Sequence, residues 1–237
     1  MEFFGEVTAW FADPANWMGR NGVPNRLVEH LAISGTALSI GLAIGLPLGI
    51  FIGHTGRGAF LAISLANVGR AIPSLGMIGL VFPMVLALDI PGGFWSTVIA
   101  LAALAVPPVV TNTYAGLRDV DADIIESGRG MGMRERDLLA RVEVPIALPL
   151  ILAGIRTSAV QVVATATLAV VVGGGTLGTL IYIGVQTGDE PQVFASALVV
   201  ALLALVTESA FALLQRATLP RGIRPRPGAQ PVLRPRS

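Results

Sequence analysis

Two imidazoles, a glycine run and a few charges inside apolar stretches are the residues whose types could carry chemistry. His30 and His54 are the only histidines, and the 237 residues include no Cys. Thiolate nucleophiles, Fe–S clusters, disulfides and Cys-ligated zinc are therefore excluded. All 16 basic residues are Arg, so a Schiff-base lysine and a Walker-type phosphate loop are excluded too. Gly173, Gly175 and Gly178 satisfy G-x-G-x-x-G formally. A dinucleotide site also needs a βαβ context and an acidic residue about twenty positions on, and neither accompanies the run. A hinge or close helix packing suits these glycines better. No spacing ties a Ser to either His, which leaves an intramembrane hydrolase without its parts. Both histidines flank apolar runs and read as interfacial rather than as ligands.

Polar residues inside the apolar runs are the next candidates. A charge at membrane depth costs about 2.5–3.5 kcal/mol on insertion scales, so Arg70 must face a partner, water or the interface. It reads either as functional or as a snorkelling or internally paired cation, with Glu208 or Asp89 as the pair. Asn67, Ser74, Gln161, Thr165 and Glu208 are the other polar residues within spans. With Arg70 and the break at Pro73, they form the candidate translocation path.

The elements that must position these residues follow from composition. The chain is 53% hydrophobic and 13% charged, with a mean hydropathy of +0.73. Soluble domains carry about a quarter charged residues, so this is an all-α polytopic membrane protein. A helix needs about 20 apolar residues to cross, and five such stretches are present, at about 27–52, 59–88, 94–117, 150–185 and 193–214. Pro73 predicts a kink in the second stretch, or a re-entrant pair of short helices. Gly41, Gly45, Gly49 and Gly53 recur every four residues on the first span, a spacing that lets helices approach closely.

Three regions result: an N-terminal segment 1–26, a transmembrane domain 27–215 containing a polar loop at 118–149, and a tail 216–237. The acidic N-terminus is unlike a secretory signal. Phe3, Phe4, Val7, Trp10 and Phe11 share one face of a helix predicted to lie along the membrane surface, with Trp17 in the same belt. The Arg/Pro-rich tail reads as disordered. Arg118, Arg129, Arg134, Arg136 and Arg141 fall in the polar loop, and positive residues mark cytoplasmic segments. Five crossings then put the N-terminus outside and the C-terminus in the cytoplasm.

The 118–149 loop is long for a compact bundle, and long ordered loops tend to be functional. Ile124, Ile125 and Met131 could form one apolar face, and Leu138, Leu139 and Val142 another. Gly128, Gly130 and Gly132 separate the two, and Pro145 and Pro149 are predicted to end the second before the membrane resumes. Such helices bury their stripes either on their own bundle or in a groove on a partner; the pattern allows both.

The residue string carries a resemblance. ABC importer permeases have a loop reading Glu-Ala-Ala, three residues, Gly, nine residues, then Ile-x-Leu-Pro. Glu126, Gly132, Val142, Val144 and Pro145 hold that spacing. Residues 112–178 and the string NVGRAIPSLGMIGL at 67–80 resemble permeases of osmoprotectant (glycine betaine/carnitine/choline) importers. Ser127 and Gly128 replace the two alanines, Val142 and Val144 replace Ile and Leu, and Thr176 stands in a stretch usually richer in Gly.

This resemblance implies a MetI-like permease fold in a bacterial inner membrane, forming a path by alternating access. It implies an ATPase-coupling loop carried by Glu126, Ser127, Gly128, Gly132, Val142, Val144 and Pro145. Gly132 would permit a sharp exit from the docking helix, and Glu126 would meet the ATPase. The implied partners are an ABC ATPase that hydrolyses the ATP, a second permease subunit and an extracytoplasmic binding protein, within the lipid bilayer. No nucleic acid and no cofactor or metal on this chain are expected. An amino acid is the alternative solute. An autonomous ion-coupled carrier is the rival class, and it would call for paired intramembrane acids, of which only Glu208 clearly qualifies.

Overall fold

The apolar runs become ten α-helices among the described residues, 2–218 of a computed structural model. Helix α1 is Glu2–Ala12, α2 is Val23–Thr55, α3 is Ala59–Ala71, α4 is Ser74–Leu86 and α5 is Gly92–Arg118. Beyond them lie α6 (Ala122–Gly130), α7 (Glu135–Leu138), α8 (Val144–Thr165), α9 (Gly178–Thr187) and α10 (Glu190–Thr218). A π turn, Leu139–Glu143, fuses α7 to α8, and a 3₁₀ segment, Ala166–Val172, extends α8.

The glycine stripe sets the topology. A Cβ at Gly41 would lie 2.6 Å from the Ala105 Cβ, and one at Gly45 would lie 2.9 Å from the Val109 Cβ. At Gly49 and Gly53 the corresponding neighbours are Thr113 at 2.7 Å and Leu117 at 2.9 Å. Contacts advance by four residues on both helices in the same direction, so α2 and α5 run parallel. Helices α3 and α4 must therefore return the chain across the bundle once between them. At about 1.5 Å per residue each is about 20 Å long, short of the ~30 Å hydrocarbon core. They are bent by 99° at their junction. Pro73 has no N–H and forces the residue before it out of the helical region; Ile72 is extended, at φ −73° and ψ 122°. The second stretch is thus one crossing built from two sharply bent halves.

Helix α8 runs back against α5. Gly154 sits on Asn112, with a Cβ there 2.7 Å from the Asn112 Cβ, and Ser158 donates to the Ala105 carbonyl at 2.9 Å. Helix α10 reverses again, because Gln215 donates to the Pro149 carbonyl at 3.1 Å while Glu208 meets Arg156. The core lies where α2, α5 and α8 meet, around Ile33, Ala37, Leu101, Ala105, Val162 and Ala166. In lipid such packing rests on close contact rather than on expulsion of water.

Several expectations are corrected. Pro145 and Pro149 do not end a helix. Pro145 falls directly behind the π turn, and the helix runs on through it from Glu135 to Val172. Pro149 lies inside α8, which runs through it. His30 is fully buried within the protein, and its Nε2 lies 2.9 Å from the Val163 carbonyl of α8. Helix α1 packs its Val7 and Trp10 face against Leu177, Leu180 and Ala195 of the bundle. The tail expected from residue 216 begins as helix, since α10 reaches Thr218; the rest of that segment lies outside the described residues.

Glycines at 173–178 serve close approach. Gly173 takes φ +77° at the end of the 3₁₀ segment. The Gly175 backbone abuts the Arg26–Glu29 ion pair, and Gly178 abuts the Thr167 backbone.

Candidate functional site

Parallel α2 and α5 end together, and the 118–149 segment is built on that end. Asp121 caps α6, its carboxylate accepting the Asp123 N–H at 3.0 Å, which satisfies one of the orphan donors of the first turn. Asp123 in the same turn suits the positive end of the helix dipole. The chain leaves α6 through Gly132 at φ +82°, a conformation that only Gly adopts cheaply. The Met133 N–H returns to the Gly128 carbonyl at 3.1 Å, closing the turn before α7.

Gly128 is the buried point of α6. Leu138 of α7 is fully buried and fills the space where a Gly128 side chain would stand, 2.7 Å from its Cβ position. Glu126 and Ser127 are exposed. Ile124 is 46% and Met131 77% exposed, which leaves two apolar side chains of this segment uncovered. Val142 lies in the π turn, and Val144 and Pro145 open α8, all half-buried. Beneath α6 is a cavity of about 230 Å³ lined by Gly53, His54, Leu117, Arg118, Glu126 and Glu143 among others.

Charges knit this end together. Arg129 donates to Glu135 twice, at 2.8 and 3.1 Å. That forked bond holds the Glu135 carboxyl below its ordinary value and raises the guanidinium further. His54, in the last turn of α2, donates from Nδ1 to Glu143 at 2.7 Å, and its Nε2 lies 3.6 Å from Glu135. Sequence reading missed His54 and Glu143 because they lie 89 residues apart.

The candidate path residues are only partly gathered. Arg70 on α3 donates to the Pro107 carbonyl at 3.3 Å and to Thr111. It therefore docks on α5, and neither Glu208 nor Asp89 is its pair. Asn67 and Arg70 are exposed on α3, and Pro73 and Ser74 mark the bend. On α8, Gln161 shares a cavity of about 420 Å³ with Arg156, Thr157 and Glu208; Thr165 bonds back to the Gln161 carbonyl at 2.7 Å. Glu208 is ion-paired with Arg156. Sequence reading overlooked Arg156, although it is the only charged residue between Glu143 and Asp189.

Five crossings, a broken second span and an ordered helix standing beyond one end define a polytopic transport permease. The sequence pattern described as "Binding-protein-dependent transport system inner membrane component" matches residues 45–220, and the chain belongs to that family. The glycine betaine/carnitine/choline transport system permease protein OpuCB of Bacillus subtilis (strain 168) is 34% identical over 195 residues, covering 82% of this chain and 88% of that one. The carnitine transport permease protein OpuCB of Listeria monocytogenes is 38% identical over 196 residues, covering 83% and 88%. In shape the chain is similar to one in inward-facing crystals of the MetNI methionine ABC transporter, at TM-score 0.75 and 21% identity over 86% and 98% of the two chains. That likeness establishes the fold. The protein is a multi-pass inner-membrane component of a transport system.

Proposed function

We propose that the chain is the membrane-spanning subunit of an ATP-driven importer of glycine betaine, choline, carnitine or related quaternary ammonium solutes. The names of its relatives support the solute class. The observation that carries the mechanism is α6, held at Gly128 by Leu138 while Ile124, Glu126 and Ser127, and Met131 just past its end, are exposed. An exposed short helix of that kind fits a groove on a separate ATPase. A chain without Lys has no phosphate-loop lysine, so ATP is bound and hydrolysed by that partner. Arg-rich segments are cytoplasmic, which puts α6 inside the cell and α1 outside.

A second permease subunit completes the path, which supports reading the exposed Arg156–Glu208 cavity as a surface turned to water or protein rather than lipid. Quaternary ammonium groups are commonly held by aromatic cages, and aromatics are only 6% of the chain. An extracytoplasmic binding protein therefore supplies recognition, and this subunit supplies passage.

Uptake of radiolabelled glycine betaine and choline tests the reading in cells deleted for their own osmolyte importers. The cells would carry this chain with its neighbouring ATPase and binding protein. Salt-stimulated uptake that depends on the ATPase is the expected result. Uptake of neither solute removes the substrate class, and transport without the ATPase overturns the mechanism.

A further inference from the structure

We propose that His54 is a positioning residue for energy coupling: its Nδ1 bond to Glu143 ties the ATPase-docking segment to the end of α2. The proposal rests on the docking role given to α6 above.

Three polar links join α6 to α2 without following the chain. Arg129 in the last turn of α6 grips Glu135 with two bonds, and Glu135 lies 3.6 Å from His54 Nε2. On the opposite side of the ring, Nδ1 reaches Glu143 at 2.7 Å. The two acids differ in setting. Glu135 is 55% exposed and already held by Arg129, so its contact with His54 is screened by water. The Glu143 side chain is 4% exposed, and a buried carboxylate stripped of its partner is strongly unfavourable. The Nδ1 link is therefore the stiff one.

The backbone is arranged to make that link. Residues five apart on an α-helix point about 140° apart at ~100° per residue. Leu138 and Glu143 are five apart, yet both face the buried side. The i→i+5 bond of the π turn, from the Val144 N–H to the Leu139 carbonyl, brings them round to it, and π turns recur at functional positions. Leu138 thus rests on Gly128 of α6 while Glu143 meets His54 of α2. The same ring stands at the foot of the α2–α5 glycine seam, next to Gly53 on Leu117. A displacement of α6 reaches α7 through Leu138 and Arg129, and passes to α2 through Glu143 and His54.

The test uses the assembled permease–ATPase complex with its binding protein in proteoliposomes, reading solute uptake and ATP hydrolysis on the same sample. ATPase-dependent uptake by the wild-type complex establishes the docking reading in that assay, so a failure there is distinct from a failure at position 54. His54→Ala is expected to lower solute moved per ATP at least tenfold while hydrolysis persists. His54→Asn, whose amide sits where Nδ1 sits, restores the ratio to within about threefold. His54→Gln, whose amide sits where Nε2 sits, does not. Should His54→Ala unfold the complex, the Asn and Gln variants still decide the matter by their order. An unchanged ratio in assembled His54→Ala, or equal ratios in the Asn and Gln variants, overturns the proposal.

Discussion

Leu138 occupies the space that a side chain at Gly128 would fill, its Cδ1 2.7 Å from the Cβ position. That contact holds α6 against α7, and it lies where the resembling permeases carry the second of two alanines. Gly128→Ala would gain about 1 kcal/mol of helix propensity and push the Leu138 end group off its rotamer, at about 0.5–1.5 kcal/mol. The two effects offset each other. Gly128→Ala is expected to copurify its ATPase and unfold near the wild-type temperature, whereas Gly128→Val, too bulky for the space, releases α6 and loses the ATPase. Equal copurification by both variants would show that the contact is not what seats the helix.

Gly132 is constrained by its backbone alone. Its φ is +82°, and nothing lies within 4 Å of its Cβ position. A left-handed conformation costs an L-residue about 1–2 kcal/mol and is easier for Asn, while β-branched residues fit it worst. Uptake should therefore fall in the order Gly132, Asn, Ala, Val. A Val variant as active as wild type would mean that the turn can be rebuilt without the left-handed residue.

The α2–α5 seam offers an internal control. Gly49→Ala puts a methyl 2.7 Å from the Thr113 Cβ and 3.1 Å from the Val110 carbonyl, and overpacking of this kind costs about 1–3 kcal/mol. Gly35 lies on the same helix with nothing within 4 Å, so Gly35→Ala gains propensity without a clash. Thermal unfolding in detergent should show Gly49→Ala lowered and Gly35→Ala unchanged or raised. The reverse order would contradict the parallel seam.

Span positions, the break at Pro73 and the helices of the 118–149 loop were legible because each has a local signature: an apolar run, a missing N–H, two short apolar patterns parted by glycines. What escaped was non-local or hidden by averaging. His30 gives no sign of its buried place until Val163, 133 residues later, supplies its partner. Arg156 vanishes in a run whose mean remains apolar, and its pairing with Glu208 depends on α8 and α10 running antiparallel. Pro145 was misread as a terminator because its meaning depends on position. It stands directly behind the π turn, and the helix continues through it.

Acid should loosen the α6–α7 segment through Glu135. Its carboxyl is held below the ordinary value by the Arg129 bonds. A depressed folded-state value means the link contributes fully above the ordinary glutamate range and is lost only as pH falls through the lowered one. Amide hydrogen exchange over 122–138, corrected for intrinsic rates, should keep its protection at mildly acidic pH and lose it only below the ordinary glutamate range. Glu135→Gln should be less protected at neutral pH and lack that acid step. An acid step of the same size in the Gln variant would assign the effect to another carboxylate.

Arg156 and Glu208 pair between α8 and α10, each 37% exposed and opening on the cavity that also holds Gln161. Removing one partner leaves the other charged within a span, which insertion tolerates poorly. Arg156→Leu and Glu208→Leu should each lower the amount of folded protein in the membrane, and the double variant should recover it beyond either single change. That coupling separates a paired charge from two independent residues. Uptake then assigns the role. A double variant that inserts, binds its ATPase and fails to transport makes the pair part of the path. Normal uptake by that variant makes it a packing contact between the two helices, and Glu208 drops out as a path residue.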